Sequence, residues 1–481
     1  MMSSIEIPMT YIYLLIIGII TVSILTIIMA TQQPQYTDSD STTVFKDITN
    51  KIANNYDMRR YGLSTITINN KLYVFSTGFD GPNTLMTWQD GKLVDVTPPE
   101  LEDVETNAIG AAACDIDEDG EEELYVLTTG GAYGGQKATK DKLYDKQGDT
   151  WVDLLEDSRV TNQYSGRSVA CTYTPKGYGF FVARYNGPMQ LLIQEDGKLI
   201  DVAPEYGMDK STGGRSIVNI PSKNGPSLFI GNERGPNYYF ERVEDTYKEV
   251  AQQKGIADPY LPARGVTVYD KDKNGVFDLA VSNWEAQHRI YEYNGSKYNN
   301  VASSSFSQPS PARNLVSADF NNDGDQELFL NNIASQRESP NRYANSEGKL
   351  LDIGDASEPL GLGTGATVTD INNDGVLELI LAHGESGRQP LTMYHIPNNK
   401  DSIRIQPVWK SGAPARTAYV ELEDSSVHAV DGGSAYLSQM EPWVHLGSRN
   451  LPLDVSVVFP DGIIVNETIT ETEMRLSHPQ K

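Results

Sequence analysis

The stretch "DFNNDGDQE", residues 319–327, places side-chain oxygens at its first, third, fifth and ninth positions around a glycine at the sixth. The same frame recurs as "DIDEDGEEE" from Asp115, "DKDKNGVFD" from Asp270 and "DINNDGVLE" from Asp370. Alternate side chains of a tight turn converge on one point, and glycine permits the left-handed backbone that closes it. Oxygen donors in that number suit a hard cation, Ca²⁺ ahead of zinc or copper. The expected side-chain ligands of the first two sites are Asp115, Asp117, Asp119 and Glu123, then Asp270, Asp272, Asn274 and Asp278. The other two sets are Asp319, Asn321, Asp323 and Glu327, then Asp370, Asn372, Asp374 and Glu378. The seventh position is Glu121, Val276, Asp325 or Val376, a variability expected if only its backbone carbonyl faces the ion.

An EF-hand would need a bidentate Glu at position 12, where this chain has Val126, Val281, Leu330 and Leu381. The residues after each loop alternate or run apolar for a short stretch, as strands do. A solvated acidic turn is the rival reading, and four copies in one frame argue against it. The named ligands include 13 carboxylates in a chain of net charge −26, and without metal each group would repel itself. Weak calcium modules fill at millimolar concentrations, so a location outside the cytoplasm is expected. The same negative charge argues against a nucleic-acid partner.

A second repeat defines the elements that must hold these loops. "FKDIT" at Phe45, "LVDVT" at Leu93, "WVDLL" at Trp151, "LIDVA" at Leu199, "YKEVA" at Tyr247, "YNNVA" at Tyr298 and "LLDIG" at Leu350 recur at spacings of 48, 58, 48, 48, 51 and 52 residues. A period near fifty, with four short strands per unit, is the size of a propeller blade. Each segment is followed by a further strand start, among them "GRSVACTYT", "RGVTVYDKD" and "TGATVTDIN". The first outer strand precedes any blade and the last blade lacks one, so residues 43–49 are expected to close the seventh blade and remove the open edges. The expected fold is an all-β, seven-bladed propeller over residues 43–400, with calcium loops in the second, fifth, sixth and seventh blades. The first, third and fourth blades lack the acids, having "TINNKLY", "YTPKGYG" and "NIPSKNGPS" instead.

These loops and outer strands resemble FG-GAP/VCBS repeats, as in integrin α-subunit propellers and cartilage acidic protein relatives. "GSAYLSQ", "HLGS" and "VVFPDG", within Val430 to Gly462, resemble the ASPIC/UnbV domain that follows such repeats. Together the resemblance covers roughly residues 43–470 and implies a small β-rich domain at 401–481, to which it brings no known chemistry.

Met9 to Ala30 is uncharged over 22 residues, enough to cross about 30 Å of hydrocarbon as a helix. An uncleaved N-terminal transmembrane anchor (residues 1–30) is expected, with a cleaved signal as the alternative, followed by a polar linker at 31–42. Two cysteines, Cys114 and Cys171, exclude a disulfide framework and a Cys-based zinc site, and are expected as small buried residues on strands. The six histidines form no HxH or HExxH pair, and no nucleophile elbow or dinucleotide loop is present, so no enzyme is expected.

Aligned strand starts place Arg167, Arg264 and Arg313, with Arg215 and Arg60 close to the same register, at the channel mouth opposite the metal turns. Such a ring would bind a carboxylate or acidic glycan; the alternative, favoured here, is salt bridging to acids of neighbouring blades. The function expected is calcium-dependent recognition or adhesion at the cell surface, toward an extracellular protein or glycan. The alternatives are a carbohydrate-active or redox enzyme and a scaffold subunit.

Overall fold

Short β-branched and aromatic runs separated by glycine-rich turns pair here into antiparallel meanders. The computed structural model describes residues 44–129, 139–156, 158, 160, 164–398 and 402–480. From the inside outwards, the first blade is Leu63–Ile68, Lys71–Ser76, Thr84–Gln89 and Lys92–Asp95. The second is Ala108–Cys114, Glu123–Thr128, Lys142–Gln147 and Thr150–Asp153. The third is Ser165–Thr174, Gly177–Pro188, Gln190–Glu195 and Lys198–Asp201. The fourth is Ser211–Ile220, Ser227–Asn232, Tyr238–Val243 and Thr246–Glu249. The fifth is Ala263–Tyr269, Asp278–Asn283, Arg289–Tyr293 and Tyr298–Asn300. The sixth has three strands, Ala312–Ala318, Glu327–Asn332 and Arg342–Ala344, with Leu350 bridging Ala344 where a fourth would lie.

The seventh sheet is Gly363–Thr369, Glu378–His383 and Thr392–His395, and Lys46–Asp47 adds the outer strand with Lys46 opposite His395. Each innermost strand packs on the next, and Gly363–Thr369 returns to Leu63–Ile68. The sheets thus close into a ring, the architecture of a β-propeller, fastened by the strand expected from the repeat count.

The polar residue that marks each outer strand has a structural task. Asp153 accepts from the amides of Leu143 and Leu155, Asp201 from Leu191 and Ala203, and Glu249 from Tyr239 and Ala251. One carboxylate thus ties the outer strand to its neighbour and caps the turn that leaves it. The bond to the amide two residues on recurs at Asp47, Asp95, Asn300 and Asp352, so this turn cap is what all seven units share.

Cys114 and Cys171 are both buried, as expected, but they are not free: they form a disulfide 57 residues apart in sequence. The reason lies in the repeat, because the second unit is 58 residues long and brings the two cysteines together on neighbouring inner strands. The bridge therefore staples the second blade to the third. A Cys114→Ala/Cys171→Ala variant is expected to lose up to about 4 kcal/mol in the chain-entropy limit. An unchanged urea midpoint on reduction would count against that staple.

Residues 402–480 form two small sheets. One joins Arg404–Val408, Val444–His445 and Glu473–Ser477; the other joins Val427–Ala429, Tyr419–Leu422, Leu453–Val458 and Ile464–Ile469. They share a core with the propeller, where Ile405, Trp409, Val457 and Phe459 pack with Tyr125, Tyr178 and Phe180. The contact lies on the side of the acidic turns: Gly120 abuts Ser411, and Gly275 abuts Ser425.

Between these sheets the chain runs through the propeller axis. Gly432 O accepts from Cys171 N, Ala435 N donates to Val266 O, and Asn314 Nδ2 donates to Tyr436 O and Ser438 Oγ. Arg215 reaches Tyr436 Oη at 2.7 Å, Ala366 N donates to Ser438 Oγ, and Gln439 makes two bonds to the backbone of Ala113. Ser438–Gln439 pairs in parallel with Leu63–Ser64. The "GGSAYLSQ" segment thus touches the inner strand of every blade. Its fit needs glycine on the wall, since a Cβ on Gly110 would come within 2.8 Å of Leu437. Left-handed backbone at Ala435 and Leu437 is held in place by these contacts.

Among the described residues no helix is long and apolar enough to cross a membrane. The expected anchor, residues 1–30, and the linker after it lie outside them.

Candidate metal centres

All four acidic frames lie in the turn between the first two strands of their blades, as expected. Their backbones match: Glu118, Lys273, Asn322 and Asn373 at position 4, and the glycines at position 6, all have left-handed φ. Gly120, Gly275, Gly324 and Gly375 each donate their amide to the position-1 aspartate at 2.8–3.2 Å. The position-9 acid accepts from the position-2 amide in every copy, as in Ile116 N to Glu123 at 2.7 Å. The loop is thus shaped by its own oxygens, which face inwards.

Three of the four copies gather their carboxylates. Asp115, Asp117, Asp119 and Glu123 bring oxygens within 4.8 Å of one another, as do Asp270, Asp272 and Asp278, and Asp319, Asp323 and Glu327. Asp115 Oδ1 is buried without a hydrogen-bond partner, which fits a cation ligand left over after the turn is satisfied. Burial, then Asp117 and Asp119, push Asp115 up to about 7. Burial likewise raises Asp278 and Asp319 to about 7 and puts Glu123 and Glu327 well above the usual range. Buried carboxylates crowded in this way are the donor set for a hard divalent ion.

The fourth set, expected to be equivalent, is not gathered among the described residues. Arg404 of the C-terminal sheet puts Nη1 2.9 Å from Asp370 Oδ2 and Nη2 2.9 Å from Asn373 Oδ1. A guanidinium therefore neutralises the carboxylate on which the other loops centre; Asn372 Nδ2 donates to Glu378 just as Asn321 Nδ2 donates to Glu327 in the sixth blade. Nothing in the repeat pattern points to Arg404, which lies 34 residues beyond Asp370. Position-7 side chains turn outwards: Glu121 accepts from Asn69 N and Asp325 pairs with Lys273. Asn274 and Asn321 accept amides within their turns at 2.9 Å.

The C-terminal sheets lean on the same turns. Val427 N donates to Asp270 Oδ2 at 3.0 Å, and Ser448 N, in "HLGS", donates to Asn322 O in the sixth-blade loop. His445 bonds Glu441 at this contact, a packing and pairing role.

At the other end of the inner strands, the arginines occupy a recurring irregularity. The ladder between the first two strands slips at Arg167, Arg215, Arg264 and Arg313 in the third to sixth blades. A bulge re-aims its extra side chain. Arg167 and Arg215 both lie over Tyr185, Arg215 and Arg264 share Glu233, and Arg313 pairs with Glu385 of the next blade. Arg60 stands apart, over Tyr56. Burial, then Arg215 and Arg313, lowers the pKa of Arg264.

With this geometry in view, the FG-GAP-like repeat family model matches residues 270–330, from the fifth-blade loop through the sixth. Cartilage acidic protein 1 of Xenopus tropicalis is 37% identical over 470 residues, spanning 86% of this chain and 72% of that protein. The Homo sapiens protein of the same name is 35% identical over 490 residues, spanning 90% and 74%. Among solved structures, the crystal structure of BBS1N in complex with ARL6DN, soaked with mercury, aligns with TM-score 0.48 and 11% identity over 75% of this chain and 99% of that one. On the extent of the match to these relatives, the chain belongs to the cartilage acidic protein 1 family.

Proposed function

We propose that this chain is a calcium-stabilised extracellular recognition module, built as a seven-bladed propeller around its own C-terminal segment, that binds a protein or glycan. The observation that carries the reading is the clustering of three or four acid ligands in each of three equivalent turns. Ca²⁺ would be held by Asp115, Asp117, Asp119 and Glu123, by Asp270, Asp272, Asn274 and Asp278, and by Asp319, Asn321, Asp323 and Glu327. It would supply positive charge that pins each hairpin and takes no part in covalent chemistry. The Cys114–Cys171 disulfide supports an oxidising compartment independently of the metal, and the relatives bear the name of a cartilage protein.

The experiment is an array of glycans and matrix proteins probed with the full chain, with and without EDTA. Binding that needs calcium and releases no product is the expected result. Turnover of a bound sugar would overturn it in favour of an enzyme.

A further inference from the structure

The bulged arginines meet a different side chain at each step: Tyr185 lies under Arg167 and Arg215, Glu233 joins Arg215 to Arg264, and Trp284 lies under Arg264 and Arg313. Between the fourth and fifth blades, Glu233 bridges two guanidiniums, with Oε2 2.8 Å from Arg215 Nε and Oε1 2.9 Å from Arg264 Nη2. Glu233 is the residue just after the second strand, Ser227–Asn232. In the fifth blade the residue just after the second strand, Asp278–Asn283, is Trp284. Here an indole stands at that position, Arg264 and Arg313 lie over its ring at 5.4 and 4.9 Å, and each keeps one carboxylate through Nη2, Glu233 and Glu385 respectively. Both arginines are more than nine-tenths buried, and the Nε of each lacks a hydrogen-bond partner in the protein. The adjacent Glu285 is turned to Arg337 instead. A buried guanidinium N–H left unpaired is costly, and a planar carboxylate is its best-matched acceptor.

We infer that the step between Arg264 and Arg313, over the half-buried Trp284, is a binding site for one carboxylate, taken from an Asp or Glu side chain of a partner protein. It would join the two guanidiniums beside the indole, as Glu233 joins Arg215 and Arg264 one blade earlier. The side chain is favoured because the chain's own glutamate already shows the fit. The indole supplies an apolar floor beside the charge, and the site lies at the end of the ring away from the C-terminal sheets. This inference rests on the reading of the propeller as a recognition module.

The test is calorimetric titration of the calcium-loaded full chain with N-acetylglutamate α-amide, with N-acetylneuraminate and an uncharged methyl glycoside as further arms. Saturable binding of the glutamate derivative is expected, weakened at least tenfold in Arg264→Gln and Arg313→Gln. Arg264→Lys and Arg313→Lys keep the charge without the fork and are expected to weaken binding while leaving the calcium-dependent melting temperature unchanged. Wild-type affinity in all four variants would overturn the site. N-acetylneuraminate binding without glutamate binding would overturn the protein side chain as its source. If only uncharged or protein ligands from the array bind, the carboxylate site fails and the recognition reading stands.

Discussion

Chelation is expected to lower the melting temperature of the full chain, and by more at pH 8 than at pH 5.5. The sign follows from the loops. In the metal-free fold, Asp115, Asp278 and Asp319 sit near 7, above their unfolded values, because burial disfavours the charged form. A carboxyl whose folded pKa is raised contributes stability that is fully present below its unfolded pKa, near 4. That contribution is lost as pH rises through about 7. Protons thus substitute for calcium at low pH and leave by pH 8. Calcium displaces those protons, so the loaded protein keeps its stability across this window. At a free concentration a hundredfold above Kd, each site adds about 2.7 kcal/mol. Three independent sites would add roughly 8 kcal/mol on the same basis. Differential scanning calorimetry in calcium and in EDTA at both pH values measures the effect. Equal melting temperatures in EDTA and calcium, with elemental analysis finding no bound calcium, would remove the metal from the account. Wild-type protein is expected to hold three equivalents of calcium, and Arg404→Gln a fourth.

The loops were legible because the clustering of their oxygens is local. Asp115 to Glu123 lie within nine residues, and their order alone dictates a turn whose oxygens converge. The ring was legible for a related reason: Asp47, Asp95, Asp153, Asp201, Glu249, Asn300 and Asp352 each accept from the amide two residues on, so every unit carries the same mark. What escaped is long-range. Cys171 meets Cys114 because the two lie about one repeat apart on neighbouring inner strands, and the spacing was visible but its register was not. Arg404 reaches Asp370 from another sheet, and its arrival changes the chemistry of a loop whose own sequence fits the pattern. "GSAYLSQ" reads as a family motif with no assigned role. Its glycine and small residues become intelligible only inside the channel, where Gly62 and Gly110 leave room for Leu437.

Arg416→Ala is expected to be among the most destabilising single substitutions in the C-terminal sheets. Arg416 and Glu122 are each about 1% exposed and pair through Nε and Nη2, with Nη2 3.2 Å from Glu122 Oε2. The same guanidinium donates to Thr65 O in the first blade and to Asp431 O and Met440 O at either end of the threaded segment. Glu122 also accepts from Thr67 N. One side chain therefore joins the first two blades, the start of the segment and its exit. Truncation leaves Glu122 buried and unpaired, a change of about 3–5 kcal/mol. Lysine supplies the charge without the planar fork, so Arg416→Lys is expected to recover only part of the loss. Removing both charges in Arg416→Met/Glu122→Met abolishes the orphaned carboxylate, and such double replacements are often close to neutral. The urea midpoint of the double variant is therefore expected to lie above that of Arg416→Ala. A double variant as unstable as the single one would mean that the bonds to Thr65, Asp431 and Met440 hold the segment in place, with the ion pair contributing little. Calcium content provides the control, since neither residue belongs to a metal-ligand cluster. Loss of stability at full calcium occupancy would assign the effect to the clamp.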